Sequence, residues 1–159
     1  MNILTQGLEE VQEGIVLHGC NAQGVMGSGV AKALRDAHPK IFEDYRRVFE
    51  SEGLALGSVV WTSVHDRLWI ASGITQQYYG RVPGHQYVSY EALQQVVKQV
   101  KQKAQALGLP VFVNRIGCGL GGGDWGRVEP LLKDEWQGIS WSLCDPPMPM
   151  RPSPKSKKY

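Results

Sequence analysis

The chain is poor in cysteine. Among its 159 residues only Cys20, Cys118 and Cys144 occur. An odd number with no CxxC spacing argues against a disulfide framework and against a structural zinc site. Histidines are also few and scattered: His18, His38, His65 and His85 form neither an HxH nor an HExxH pattern, so no metal is expected. No apolar run approaches the roughly 18 residues that a membrane span needs. Met1 to Gly7 lacks the basic and apolar regions of a secretory signal. The expectation is a cytoplasmic protein with no membrane partner.

A distributed basic face is missing too. The formal charge is +2, but Arg151, Lys155, Lys157 and Lys158 all lie in the last nine residues, which hold no acid. The rest of the chain carries 13 cations against 15 acids. Sequence-specific nucleic-acid binding is therefore not expected. With 42% apolar and 20% charged residues, the composition is that of a globular domain, and the length suits one domain.

What the chain does have is glycine, gathered into two loops that follow apolar strands. Residues 15–31 start as a short apolar strand, turn polar at His18 and Asn21, pass Gly24, Gly27 and Gly29, and enter a helix at Val30 or Ala31. A glycine loop between a strand and a helix start is an anion site in the making. Glycine allows close approach, and the first N–H groups of the helix lack partners. The spacing in this stretch is neither GxGxxG nor GxxxxGK[ST]. The second loop, Arg115 to Trp125, follows Pro110 to Asn114, which reads as a buried strand.

Around these loops the pattern alternates. Strands are expected at Asn2–Gln6, Ile15–Gly19, Ser58–Val64, Leu68–Ile74, Pro110–Asn114 and Ile139–Leu143. Helices are expected from Val30 to His38, then after Pro39 to about Glu52, from the cap Ser89 to Leu107 with a stop at Gly108, and after the cap Asp124. Thr75 to Val88 reads as a long loop, and loops of that length are often functional. The order predicts a three-layer α/β domain with a mixed central sheet over residues 1–144, flanked by helices. Residues 145–159, rich in proline and basic residues, read as a flexible tail. In such sheets ligands sit at the carboxyl ends of the strands. Two glycine loops at that edge suit a diphosphate, one row of N–H groups on each side.

Leu17-His18-Gly19-Cys20-Asn21 with Gly27-Ser28-Gly29-Val30-Ala31, and Arg115-Ile116-Gly117-Cys118-Gly119-Leu120 closed by Trp125, resemble the loops of the macrodomains. That family has an ADP-ribose-binding α/β fold, and the likeness covers about residues 1–144. It implies ADP-ribose or ADP-ribose-1''-phosphate as ligand, with ADP-ribosylated macromolecules as further partners. It also implies a monomer with no cofactor. Asn21 resembles the asparagine that bonds the distal ribose. Gly19, Cys20 and the backbone from Met26 through Gly27, Ser28, Gly29, Val30 and Ala31 resemble the diphosphate loop. Ile116, Gly117, Cys118, Gly119, Leu120, Gly121 and Gly122 resemble its partner. Gln76 to Gly80 would border the distal ribose. Gly7 and Leu8 fall where many members carry a Gly-Asp pair that binds adenine, with Glu9 next.

One subgroup removes ADP-ribose from protein or nucleic acid with a lysine and an aspartate. The matching positions here are Gln76 or Gln77 and Gly121. Glutamine neither forms a Schiff base nor titrates. The end of the strand, with a histidine three residues before the asparagine, is more similar to the ADP-ribose-1''-phosphate phosphatases. On that reading His18 activates the water or protonates the leaving oxygen, and Asp124 orients it or takes part as a base. The alternatives are a histidine that only shapes the loop and an aspartate that only caps a helix. A non-catalytic ADP-ribose reader, or an ADP-ribosyl hydrolase with another base, stands beside the phosphatase.

Overall fold

The apolar run before the first glycine loop forms the central strand of the sheet. The computed structural model describes residues 1–27 and 29–146. In it β2 spans Gly14–Asn21. Ile15, Val16 and Leu17 are fully buried, because helices cover both faces of the sheet. Ile15 and Leu17 belong to the core under one helix pair. Val16 and Cys20 belong to the core under the other. A strand buried on both sides is why the sequence reads there as a continuous apolar run.

The remaining elements follow in order. They are β1 (Asn2–Leu4), a 3-10 turn (Leu8–Glu10), α1 (Gly29–Ala37), α2 (Lys40–Ser51), β3 (Val59–His65), β4 (Leu68–Gln76), α3 (Tyr90–Leu107), β5 (Val111–Val113), α4 (Trp125–Glu135) and β6 (Trp141–Cys144). The sheet order is β1-β6-β5-β2-β4-β3. Every neighbouring pair is parallel except β3 with β4, the expected hairpin. The three-layer α/β fold with a mixed sheet is thus present.

Local chemistry sets the helix ends. Ser89 caps α3, its hydroxyl accepting from the Ala92 N–H at 3.1 Å. Gly108 closes the helix at φ 65°, a left-handed angle that glycine adopts at little cost. Asp124 caps α4 by accepting from the Gly126 N–H at 2.9 Å. Pro39 separates α1 from α2 and stands as the cap of α2.

Several boundaries differ from expectation, three of them with a clear cause. β1 stops at Leu4, because its three residues pair only with Ser142–Cys144 of the short β6. β5 is three residues long, since its pairing with β2 ends at Leu17↔Val113. β4 runs on to Gln76, and Gln76 bridges Val88, so the connecting loop is shorter than its glycines and proline suggest. The expected tail falls, from residue 147 on, outside the described residues.

Because β2, β4 and β5 are parallel, their carboxyl ends lie on one edge. The first glycine loop, the 77–88 loop and the second glycine loop all leave from it. No described helix is long and apolar enough to cross a membrane.

Candidate functional site

The three loops enclose a cavity of about 400 Å³. One wall is the end of β2 and the first loop: Gly19, Cys20, Asn21, Val25, Met26 and Gly27, then Gly29, Val30 and Ala31 at the start of α1. The opposite wall is Ile116, Gly117, Gly119, Leu120 and Gly121. Thr75, Gln76, Tyr79, Gly80 and Arg81 come from β4 and the loop after it. The helix-start N–H groups of α1 have no intrahelical partner, so this wall offers donors to an anion.

The charge of the lining is one-sided. Arg81 and Arg115 line the cavity, and among the described residues no carboxylate does. Arg115 is fixed in place by Asp145 at 3.4 Å and by the Trp125 ring at 5.2 Å. Among the described residues no three His, Cys, Asp or Glu side chains gather as a metal would need.

Asn21 sits at the mouth of the first loop. Its Oδ1 accepts from the Gln23 N–H at 2.9 Å and lies 3.1 Å from the Tyr45 hydroxyl. Its Nδ2 donates to the Val25 carbonyl at 2.9 Å. A side-chain amide has two donors and about two acceptor sites. One N–H is therefore left for a ligand, so Asn21 can give a hydrogen bond there and has little capacity to accept one.

His18 also lines the cavity, at the foot of the β2 wall. Its ring is 1% exposed, with Nε2 2.8 Å from the Ser72 hydroxyl and the Cys20 sulfur 3.7 Å from Nδ1. Burial lowers its pKa from 6.5 to about 4, so the ring is neutral near pH 7. Burial also raises the Cys20 thiol to about 12, and raises Cys118 to about 11 with help from the charge of Asp124. Neither is a ready thiolate.

Several residues expected in the site stand elsewhere. Asp124 does not line the cavity; its carboxylate is committed to the α4 cap. Gly7 and Leu8 are buried and lie outside the lining. Leu8 packs into the core, and the Gly7 N–H is taken by the Glu10 carboxylate at 2.7 Å. Cys118 and Gly122 are part of the second loop but are not among the residues that line the cavity. Ser28 lies outside the described residues. Gln76 faces Gly121, where a Cβ would come 3.2 Å from its Oε1, and its Nε2 donates to the Tyr78 carbonyl at 2.7 Å.

Val25, Thr75, Arg81, Asn114 and Arg115 line the cavity without having been singled out from sequence. Arg115 had a signal, since it opens the second loop. Asn114 and Thr75 had only their places at strand ends. Both carry a buried oxygen with no partner in the structure, Asn114 Oδ1 and Thr75 Oγ1. Buried polar atoms are rarely left so, and both belong to residues of the cavity.

The molecule is thus a three-layer α/β protein with two glycine loops over a cleft that, among the described residues, no carboxylate lines. The Macro domain family model matches residues 17–132, and the chain belongs to the macrodomains, an ADP-ribose-binding family. An uncharacterised 17.5 kDa protein of phage T4 is 30% identical over 122 residues, 74% of this chain and 76% of that one. A protein of unknown function from Bacteroides thetaiotaomicron superposes with a TM-score of 0.82 at 29% identity, over 91% of this chain and 98% of its own. A macrodomain protein from Streptomyces coelicolor does so at 0.75 and 29%, over 91% and 99%. A Thermosipho africanus DarTG solved in complex with ADP-ribose shares the fold at TM-score 0.69 and 18% identity, over 87% of this chain and 39% of its own.

Proposed function

We propose that the cleft binds ADP-ribose with the diphosphate between its two glycine loops and hydrolyses ADP-ribose-1''-phosphate to ADP-ribose and phosphate. The observation that carries this is the lining, with two arginines and no carboxylate among the described residues. Such a site favours the ligand with the most phosphate charge, and the 1''-phosphate ester carries one phosphate more than ADP-ribose.

The chemistry fits a cleft without an exposed base. Phosphoryl transfer from a monoester passes through a loose transition state, in which positioning and charge stabilisation supply most of the catalysis. Water adds to phosphorus as the phosphorus–oxygen ester bond breaks, the ester oxygen leaves on ADP-ribose with a proton given up by the water, and cations with N–H groups hold the equatorial oxygens. His18, neutral and bonded to Ser72, is assigned to shaping the strand end. Arg115 is assigned to the phosphate charge.

A second reading is a reader that binds ADP-ribose or ADP-ribosylated macromolecules without turnover. It is favoured by the commitment of Asp124 to a helix cap and by the burial of His18. Phosphate release from ADP-ribose-1''-phosphate decides between them, with wild type beside Arg115→Met. Turnover that falls in the variant supports the phosphatase. Calorimetric binding of ADP-ribose with no phosphate release supports the reader. Binding of neither ligand overturns both.

A further inference from the structure

The first glycine loop has a one-sided hydrogen-bond pattern. Four of its carbonyls are tied down by side chains. The Tyr45 hydroxyl donates to the Asn21 carbonyl at 2.6 Å. Arg46 Nη1 donates to the Gly24 carbonyl at 3.1 Å, and Arg35 Nη1 to the Met26 carbonyl at 3.3 Å. Asn21 Nδ2 holds the Val25 carbonyl at 2.9 Å.

Three of these donors come from α1 and α2, and each is itself braced. Tyr45 is fully buried. Arg46 lies over the Phe49 ring at 4.9 Å and pairs with Glu50 at 2.8 Å. Arg35 lies over the Phe42 ring at 3.8 Å. The Tyr45 hydroxyl also lies 3.1 Å from Asn21 Oδ1 and 3.5 Å from the Val25 carbonyl, so the loop folds around this one hydroxyl.

We propose that Tyr45, Arg46 and Arg35 are positioning residues that give the first loop its anion selectivity by holding its carbonyls away from the ligand. A loop of five or six residues exposes acceptors as readily as donors. An acceptor turned toward a phosphate repels it, and a donor binds it. With the carbonyls of residues 21, 24, 25 and 26 engaged behind the wall, the N–H groups at the start of α1 set the polarity of the cleft. The Arg35 guanidinium adds positive charge behind the loop, while that of Arg46 is offset by Glu50. The proposal deepens the diphosphate reading above and rests on it for the identity of the ligand.

The test pairs Tyr45→Phe with Thr62→Val. Thr62 donates to Asp44 of α2 at 2.8 Å and is buried, so its loss loosens the same helix without touching the loop. Binding of ADP-ribose is measured by calorimetry, melting by thermal unfolding, and loop order by 15N relaxation of residues 22–27. Losing one such hydrogen bond should weaken ADP-ribose binding about fivefold in Tyr45→Phe, while Thr62→Val melts earlier and binds as wild type does. Arg46→Met should fall between the two. Equal affinity in Tyr45→Phe and wild type overturns the proposal, as does an equal loss in Thr62→Val. A wild type that binds no ADP-ribose removes the ligand reading alone. Relaxation then decides, because an unchanged loop in Tyr45→Phe refutes the anchoring.

Discussion

The two glycine loops share a composition and a sheet edge, but they are held by different means. Side chains of α1 and α2 hold the first loop. Main-chain bonds hold the second: the Gly121 carbonyl accepts from Tyr87 and Val88 at 2.7 and 3.0 Å, and the Gly117 carbonyl from Gly123 at 2.8 Å. The glycines differ in the same way. A Cβ on Gly27 or Gly29 would meet nothing within 4 Å. On Gly121 or Gly123 it would press on the Gly117 carbonyl oxygen at 2.6 or 2.7 Å, and on Gly122 it would overlap the His85 carbonyl. In the first loop Gly27 and Gly29 open on free space, while Gly24 makes room for the side chains of Arg46 and Phe49. In the second, glycine leaves room for the protein's own backbone, and only Gly119 opens on free space.

The largest effect should therefore come from the second loop and appear in stability. Gly122 has φ 71° and no room for a Cβ. Gly122→Val combines backbone strain with a main-chain overlap, and should cost about 4 kcal/mol or more. Thermal unfolding checks this. A variant that melts with wild type would mean that the 77–88 loop yields, and that the second loop is not packed as described.

Next in size is the pH response at the root of the first loop. His18 has a folded pKa of about 4 against 6.5 for the free side chain. The unfolded chain therefore takes up this proton first as pH falls. The stabilisation is whole above about pH 6.5 and drains away toward pH 4, reaching roughly 3 kcal/mol if no other group intervenes. Urea unfolding at pH 7 and pH 4.5 should show a larger drop in wild type than in His18→Gln. Equal drops would mean that the imidazole is not what acid attacks.

This contrast was only half legible in the sequence. Strand, glycine loop and helix start at residues 15–31 gave the position of the anion wall, because apolar run and glycine spacing are local signals. The caps at Ser89 and Asp124 were equally readable, since capping is a property of one residue and its next three. The orientation of His18 was not. A residue at a strand end faces either layer according to register, and here it falls on the same face as Cys20 and Ser72. Tyr45 was only one residue inside the helix expected after Pro39. Its hydroxyl meets Asn21 across 24 positions, and no local pattern carries such a contact. Gly7 and Leu8 fall outside the cavity lining for the same reason: Leu8 is apolar and finds the core.

Filling the open glycines should separate binding from stability. Gly27→Val and Gly119→Val each place a branched side chain where the structure has free space. Neither position has a positive φ, so neither backbone is strained. Overpacking of the ligand's place by a few kcal/mol should weaken ADP-ribose binding about a hundredfold. Melting should stay near that of wild type. The pair inverts the Gly122→Val result, and calorimetry with thermal unfolding reads both halves. Retained binding in either variant would take that loop out of the site.

The smallest effect separates the loops by their bracing alone. Asn21→Ala removes the Val25 brace and the one amide N–H left for a ligand, and should weaken ADP-ribose about tenfold, the scale of one or two hydrogen bonds. Leu120→Ala truncates a side chain that lines the opposite wall. The second loop keeps its shape through main-chain bonds that this change leaves untouched, so the loss there should be smaller. Calorimetry on the two variants side by side makes the comparison direct. A larger loss in Leu120→Ala would place the grip on the ligand in apolar contact with the second loop. The order predicted here places it in the polarity of the first, where one asparagine and one tyrosine set the direction of the backbone.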